Sequence, residues 1–214
     1  MTKKWIGTLF ALFIGTVAMA QNGTNPYGIA AGDVMLSAQG GYAISTNRLR
    51  HDPNGLSVAG NWGKEGGYEW GLSVLVFPKD IFGLGVEYNS NRFNATDTGT
   101  WIGGGWHYSK SKVKVDNLML AMRLNANPNH RVRFYVPLGA GVDFFRVKEE
   151  DIAGYPPATS ATKHYTGFAW YAGLGLESSI TERLIVGLEA RMNGAHMKKA
   201  LFYATGIGRI GVKF

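Results

Sequence analysis

Apolar and polar side chains alternate along this chain with a period of two, in segment after segment, and no stretch shows the 3.6-residue period of an amphipathic helix. A strand turns successive side chains to opposite faces, so each such segment predicts a strand with one apolar face. Eight are visible. The first covers 34–45, with Val34, Leu36, Ala38, Tyr42 and Ile44 on one face. The second covers 68–77, with Tyr68, Trp70, Leu72, Val74 and Val76. Leu84, Val86 and Tyr88 mark the third, and Leu118, Leu120, Met122 and Leu124 the fourth. The fifth is the longest run: Val132, Phe134, Val136, Leu138, Ala140, Val142 and Phe144. Phe168, Trp170, Ala172, Leu174 and Leu176 mark the sixth. Leu184, Val186, Leu188, Ala190 and Met192 mark the seventh, and Ile210, Val212 and Phe214 the eighth.

The opposite faces carry Glu69, Glu87, Asn117, Arg123, Arg133, Asp143, Glu177, Glu189, Arg191 and Arg209. A water-soluble sandwich would turn these to solvent and bury the apolar sets in a shared core. A closed barrel in a bilayer would hide them in its lumen, since Arg or Lys at the lipid midplane costs about 2–4 kcal/mol. Period alone fits both, and the start of the chain favours the barrel. Lys3 and Lys4, the uncharged run from Trp5 to Val17 and the small residues of Ala18-Met19-Ala20 have the make-up of a secretory signal peptide, cut after Ala20. A spanning anchor needs roughly 20 apolar residues, and this run is shorter. No later segment is long and apolar enough for a spanning helix. Removing residues 1–20 from the 214 leaves 194, a size that suits one domain. The expected organisation is a signal peptide over 1–20, a short periplasmic segment over 21–30 and a single barrel over 31–214.

Connections near 78–80, 125–130 and 179–181 are short, while those near 46–66, 92–112, 147–163 and 194–200 are mostly longer. Asn125 to His130, Asn-Ala-Asn-Pro-Asn-His, has turn chemistry. Short turns on one side, long loops on the other and an even strand number put both termini at the turn side.

Tyr135-Val136-Pro137-Leu138-Gly139-Ala140-Gly141-Val142, Ala172-Gly173-Leu174-Gly175-Leu176-Glu177 and the closing Gly206-Ile207-Gly208-Arg209-Ile210-Gly211-Val212-Lys213-Phe214 carry a family likeness. With them, residues 31–214 resemble the small OmpA-type and opacity-type outer-membrane barrels. The resemblance implies an all-β, eight-stranded antiparallel transmembrane β-barrel, an up-and-down meander with short periplasmic turns and longer extracellular loops. It implies location in a bacterial outer membrane. Phe214 resembles the signal by which such barrels reach the barrel assembly machinery, an expected partner. Full-length OmpA-type proteins continue into a peptidoglycan-binding domain; none follows here, so no wall-anchoring role is expected.

An eight-stranded barrel has an interior just wide enough for side chains to fill. Glu87, Asp143, Glu177 and Glu189 are therefore expected to pair with Arg123, Arg133, Arg191 and Arg209 and occlude the bore. The reading that follows is a structural or surface-interaction barrel acting through its extracellular loops. The alternative is a narrow ion or small-solute pore along the same charges. A general diffusion channel needs about twice the strands. A third class is enzymatic: His107 and Ser109 in Trp106-His107-Tyr108-Ser109 look superficially like the site of barrel lipid A deacylases, in which a histidine activates a serine. Lys110-Ser111-Lys112 departs from that family's continuation, only Asp116 is a candidate third member, and no catalytic residue is assigned.

The chain has no cysteine, which excludes disulfides and thiolate metal sites. His51, His130, His164 and His196 show no metal-ligand spacing, and Gly103-Gly104-Gly105 lacks the helix and Lys-Ser/Thr of a phosphate loop. No metal or cofactor is expected. Without Lys3 and Lys4 the chain holds 20 basic and 15 acidic residues, net +5. Arg48, Arg50, Lys110, Lys112, Lys114, Lys198 and Lys199 fall at predicted extracellular positions and are the expected contacts to lipopolysaccharide, alongside outer-membrane lipids and host or surface ligands. Glu149, Glu150 and Asp151 oppose them in the third loop. Nucleic acid has no support beyond net charge, and nothing sets an oligomeric state. Tyr42, Trp70, Tyr88, Phe144, Phe168, Trp170 and Phe214 are candidates for interfacial aromatic girdles.

Overall fold

A sheet with one apolar face and a polar back has no stable flat form in a bilayer, because each edge strand would leave backbone N–H and C=O groups without water or partners. Closure removes the edges. The computed structural model describes residues 26–45, 66–100, 106–153, 160–196 and 200–214. They form β1 (Val34–Ser45), β2 (Gly67–Lys79), β3 (Phe82–Thr100), β4 (Trp106–Asn125), β5 (Val132–Ala153), β6 (Ser160–Ser179), β7 (Leu184–His196) and β8 (Ala200–Lys213). Each strand is antiparallel to its sequence neighbour, and β1 pairs with β8 through partners such as Leu36↔Val212 and Tyr42↔Gly206. The meander is a closed eight-stranded barrel.

Its sides are inverted relative to a water-soluble protein. Leu120, Leu174 and Leu188 are 73%, 70% and 69% exposed on the outer face, whereas Arg133 and Asp143 are fully buried in the bore. The outward apolar residues form a continuous belt, far beyond the few hundred Å² that a soluble monomer exposes. Lipid is the solvent that suits it. The expected girdle residues Tyr42, Trp70, Phe144, Phe168, Trp170 and Phe214 are all exposed on this face, and Tyr88 is half-buried there, edge-on to Trp70.

The strand ends depart from the sequence reading in two ways. The β2–β3 turn is Asp80-Ile81, later than the expected 78–80, because Phe77 and Pro78 fall in a register shift between Val76 and Lys79. A proline, lacking an N–H, fits such a bulge. The larger departure is at the loop end. β3, β4, β5 and β6 are 19, 20, 22 and 20 residues long, against 12 to 14 for the others. Crossing the apolar band takes about 9–11 residues, so this half of the wall projects well beyond it. The long connections expected near 92–112 and 147–163 are thus largely strand. Above the band the pattern inverts, with Arg92, Lys112 and Arg146 outward and Phe93, Val113, Val115 and Phe145 inward, so the outward apolar alternation ends while pairing continues, for example through Asn94↔Lys112↔Lys148↔Thr162. Nearly all of the connection expected at 46–66 lies outside the described residues.

The turn end is closed by the chain itself. Residues 26–33 form a strap across the mouth, turning at Gly32, whose φ of 93° lies in the left-handed region that glycine tolerates. Gly32 N–H donates to Phe77 O at 2.7 Å, and Ile29 N–H to Pro128 O at 2.9 Å. The Ile29 side chain, 1% exposed, enters a cluster of Met35, Leu75, Phe77, Ala121 and Ile185 inside the barrel.

Candidate functional site: the filled bore and the basic outer rim

Inward positions belong to the odd-numbered residues of every strand, and the eight charged residues singled out from the sequence all point into the bore and are buried. They do not form one network. Next to the strap, Glu177 bridges two arginines: Arg123 Nη1 donates to its Oε2 at 2.7 Å and Arg133 Nε to its Oε1 at 2.8 Å. The pairing reaches from β4 across β5 to β6. The second positive charge is answered by neutral oxygens. Arg133 donates to Tyr27 O of the strap and, at 3.1 Å, to His130 O, and Arg123 Nε donates to Asn125 Oδ1 at 2.7 Å. The Arg123 guanidinium also stacks on the Tyr135 ring, 3.8 Å from its centroid.

One layer further in, two carboxylates meet two guanidiniums. Arg191 binds Glu87, with Nη2 donating to Oε2 at 3.0 Å, and also binds Glu189. Arg209 Nη2 donates to Gln39 Oε1 at 2.8 Å and lies 3.3 Å from both Glu87 Oε2 and Glu189 Oε2. Tyr135 O–H donates to Glu189 at 2.9 Å, Asn89 Nδ2 to Glu87 at 2.6 Å, and Tyr171 lies under the Arg191 guanidinium at 4.2 Å. Glu87 and Glu189 thus have charged partners as well as neutral donors.

Asp143 stands apart. Where charge counting expects an arginine beside it, its cross-strand neighbours are Asn117 and Gly167. Asn117 Nδ2 donates to its Oδ1, and its Oδ2 has no hydrogen-bond partner among the described residues. Above this layer Ala43, Phe93, Val113, Val115, Phe145, Ala195 and Tyr203 pack together, with Phe93 and Tyr203 edge to face at 5.7 Å, and buried Glu69 and Asn91 stand in register with Val115 and Phe145.

The sequence reading missed Tyr135 and Tyr171, which fill bore space left by glycines: Tyr135 lies opposite Gly175, and Tyr171 opposite Gly139. An aromatic directly across from a glycine was the available signal. It also missed half of the basic outer rim. Lys112 is exposed and Lys114 pairs with Asp116 at 2.8 Å, but Arg92, Arg146, Lys148 and His164 stand beside them on neighbouring strands. Lys110 lies in β4 opposite Thr96 and Glu150. Arg48, Arg50, Lys198 and Lys199 lie outside the described residues, as do the side chains of His107 and Ser109, whose strand positions are opposite Gly99 and Asp97.

Residues 8–207 match the family described as outer membrane protein beta-barrel domain. The chain belongs to that family. Its turn end is therefore periplasmic and its projecting wall extracellular, in a bacterial outer membrane. Among solved structures it is similar to OprG from Pseudomonas aeruginosa, at 15% identity over 88% of this chain and 98% of that one, with a TM-score of 0.52. It is similar to Ail, the attachment invasion locus protein of Yersinia pestis, at 16% identity over 84% and 98%, with a TM-score of 0.50. The outer membrane protease OmpT from Escherichia coli shares 8% identity over 85% and 95%, with a TM-score of 0.51. At these identities the likeness is one of fold. No curated protein matches the chain in sequence. Phe214 ends the outer-membrane barrel with its side chain exposed and its backbone locked to Val34, N–H to O at 2.9 Å one way and 3.0 Å the other.

Proposed function

We propose that this outer-membrane barrel is sealed and acts at the cell surface through its extracellular half, rather than by conducting solutes. The observation that carries the reading is the filling of the bore at successive depths. The strap and its apolar cluster stand at the periplasmic mouth, two arginine–carboxylate clusters above it, and the Phe93–Phe145–Tyr203 cluster above those. A water thread would have to pass two clusters of packed apolar side chains, which offer it few groups to replace its hydrogen bonds. The clusters hold residues of β1 and of β3 through β8 against one another, so they serve as internal ties as well as a stopper.

The proposal includes export with removal of residues 1–20, recognition of Phe214 by the assembly machinery, and contact of the extracellular wall with lipopolysaccharide or surface ligands. No catalytic role is assigned to His107 and Ser109. The test is solute efflux from vesicles that hold the protein in its compact, heat-modifiable form. The reading expects potassium and small sugars to be retained as in protein-free vesicles. Efflux that rises with protein content would favour the narrow pore instead.

A further inference from the structure

Four basic side chains stand side by side on the outer wall. The register sets Arg92 on β3 opposite Lys114 on β4, Lys114 opposite Arg146 on β5, and Arg146 opposite His164 on β6. With strands about 4.8 Å apart, the row runs about 14 Å around the barrel. Two residues further up each strand, about 7 Å higher, come Asn94, Lys112, Lys148 and Thr162. Neither row contains a carboxylate. Asp116 lies one row below, paired with Lys114, and Glu150 takes the position one row above, opposite Lys110.

The level of this patch matters. From Leu124, the first outward apolar residue of β4, to Lys114 is ten residues, about 33 Å along the strand and roughly 25 Å of height at the usual tilt. That is the height of an outer-membrane apolar band. The cations thus sit at the outer headgroup level, on the side that faces lipid. Trp70 and Phe144 lie just beneath them, Tyr88, Leu118 and Val142 one row lower, and Leu120 lower still.

Like charges directly opposite on antiparallel strands are destabilising. Lys114 faces Arg146, a repulsion that the Lys114–Asp116 ion pair at 2.8 Å offsets on the Lys114 side alone. An anion lying over the row reverses the sign. We infer that the outer face of β3–β6 is a docking site for a phosphate-bearing lipid of the outer leaflet, its phosphates on Arg92, Lys114 and Arg146 and its acyl chains on the apolar surface below. This deepens the lipopolysaccharide contact of the proposed function and rests on that contact, not on the sealed-bore reading. A conducting barrel that still distinguished phosphorylated lipid would overturn that reading and leave this one.

The test uses protein purified from outer membranes, exchanged into nonionic detergent and melted by gel mobility. The probes are bisphosphorylated lipid A, the same lipid stripped of phosphate, and inorganic phosphate. Bisphosphorylated lipid A should raise the melting temperature well above the level the stripped lipid reaches. Each cation at such a surface is worth about fivefold in affinity, so K114Q/R146Q should weaken the apparent affinity about 25-fold. Arg146→Gln should also change sign with conditions. It should be neutral or stabilising in lipid-free detergent, where it relieves repulsion, and should lower the melting temperature in bisphosphorylated lipid A. Equal stabilisation by the two lipids, full stabilisation by inorganic phosphate alone, or an Arg146→Gln effect of one sign throughout would overturn the inference.

Discussion

Glu177→Gln isolates the contribution of one buried carboxylate. The change keeps size and shape but removes the charge that two guanidiniums share, at a position 2% exposed. Arg123 and Arg133 each lose a charge-assisted hydrogen bond, at 2.7 and 2.8 Å, and such bonds contribute about 1.5–3 kcal/mol apiece. Stranding a partner of a buried ion pair costs about 3–5 kcal/mol in other proteins, which brackets the same sum. Neither arginine is free to swing into water. Arg123 is held against Tyr135, and Arg133 is bound to the carbonyls of Tyr27 and His130. The expected loss is therefore about 3–5 kcal/mol, a fall in urea midpoint of about 2 M at an ordinary m-value. The assay is a urea titration in lipid vesicles with refolding and unfolding arms, read by the fraction that migrates as compact protein without boiling. Arg123→Met in the same background should recover part of the loss by removing one stranded cation. A midpoint shift below about 0.3 M would mean that water already solvates these arginines, and would refute the packed periplasmic half of the bore.

Three further outcomes follow from the geometry. Gly175→Ala places a methyl within the Tyr135 ring, which must leave both Glu189 and Arg123, and should cost about 1–3 kcal/mol in the same titration. Gly206→Ala meets nothing within 4 Å on the outer wall and should stay within about 0.5 kcal/mol; equal costs for the two would discredit the packing of the tyrosine. Ile29→Ala should lose about 2–4 kcal/mol and open residues 26–33 to limited proteolysis, whereas an unchanged cleavage pattern would mean the strap is not pinned by its side chain. Phe214→Ser removes an exposed side chain and should leave stability in vitro nearly unchanged while cutting outer-membrane levels. Normal levels in cells would remove Phe214 as an assembly signal.

Much of the barrel was legible because the bilayer enforces a strict rule. Leu118, Leu120, Met122 and Leu124 must alternate with Asn117, Arg123 and their like, so strand, face and lumen position are all written into parity. What parity does not encode is which inward residues meet. Arg123 pairs with Glu177, 54 residues away, through the stagger of three strands, and Asp143 meets Asn117 because no arginine shares its level. The projecting wall was hidden for a related reason: there the outward positions turn polar, as at Arg92, Lys112 and Arg146, while Phe93, Val113, Val115 and Phe145 turn inward, so the outward apolar period ends although the strands go on. The strap has no period either, as Tyr27 to Asp33 is held by carbonyls and a single buried isoleucine. The outer basic row is spread over four strands, with Arg92 and His164 72 positions apart in sequence, so only the register assembles it.

The claim that the bore is closed is tested most directly by single-channel recording of the compact protein in planar bilayers, beside a variant in which Phe93, Phe145 and Ile29 are all replaced by serine. The account predicts a silent wild type and conductance only when both apolar clusters are breached. Steady openings of the unaltered protein that shift with Arg191→Gln would contradict it, and would make the arginine–glutamate clusters the lining of a pore.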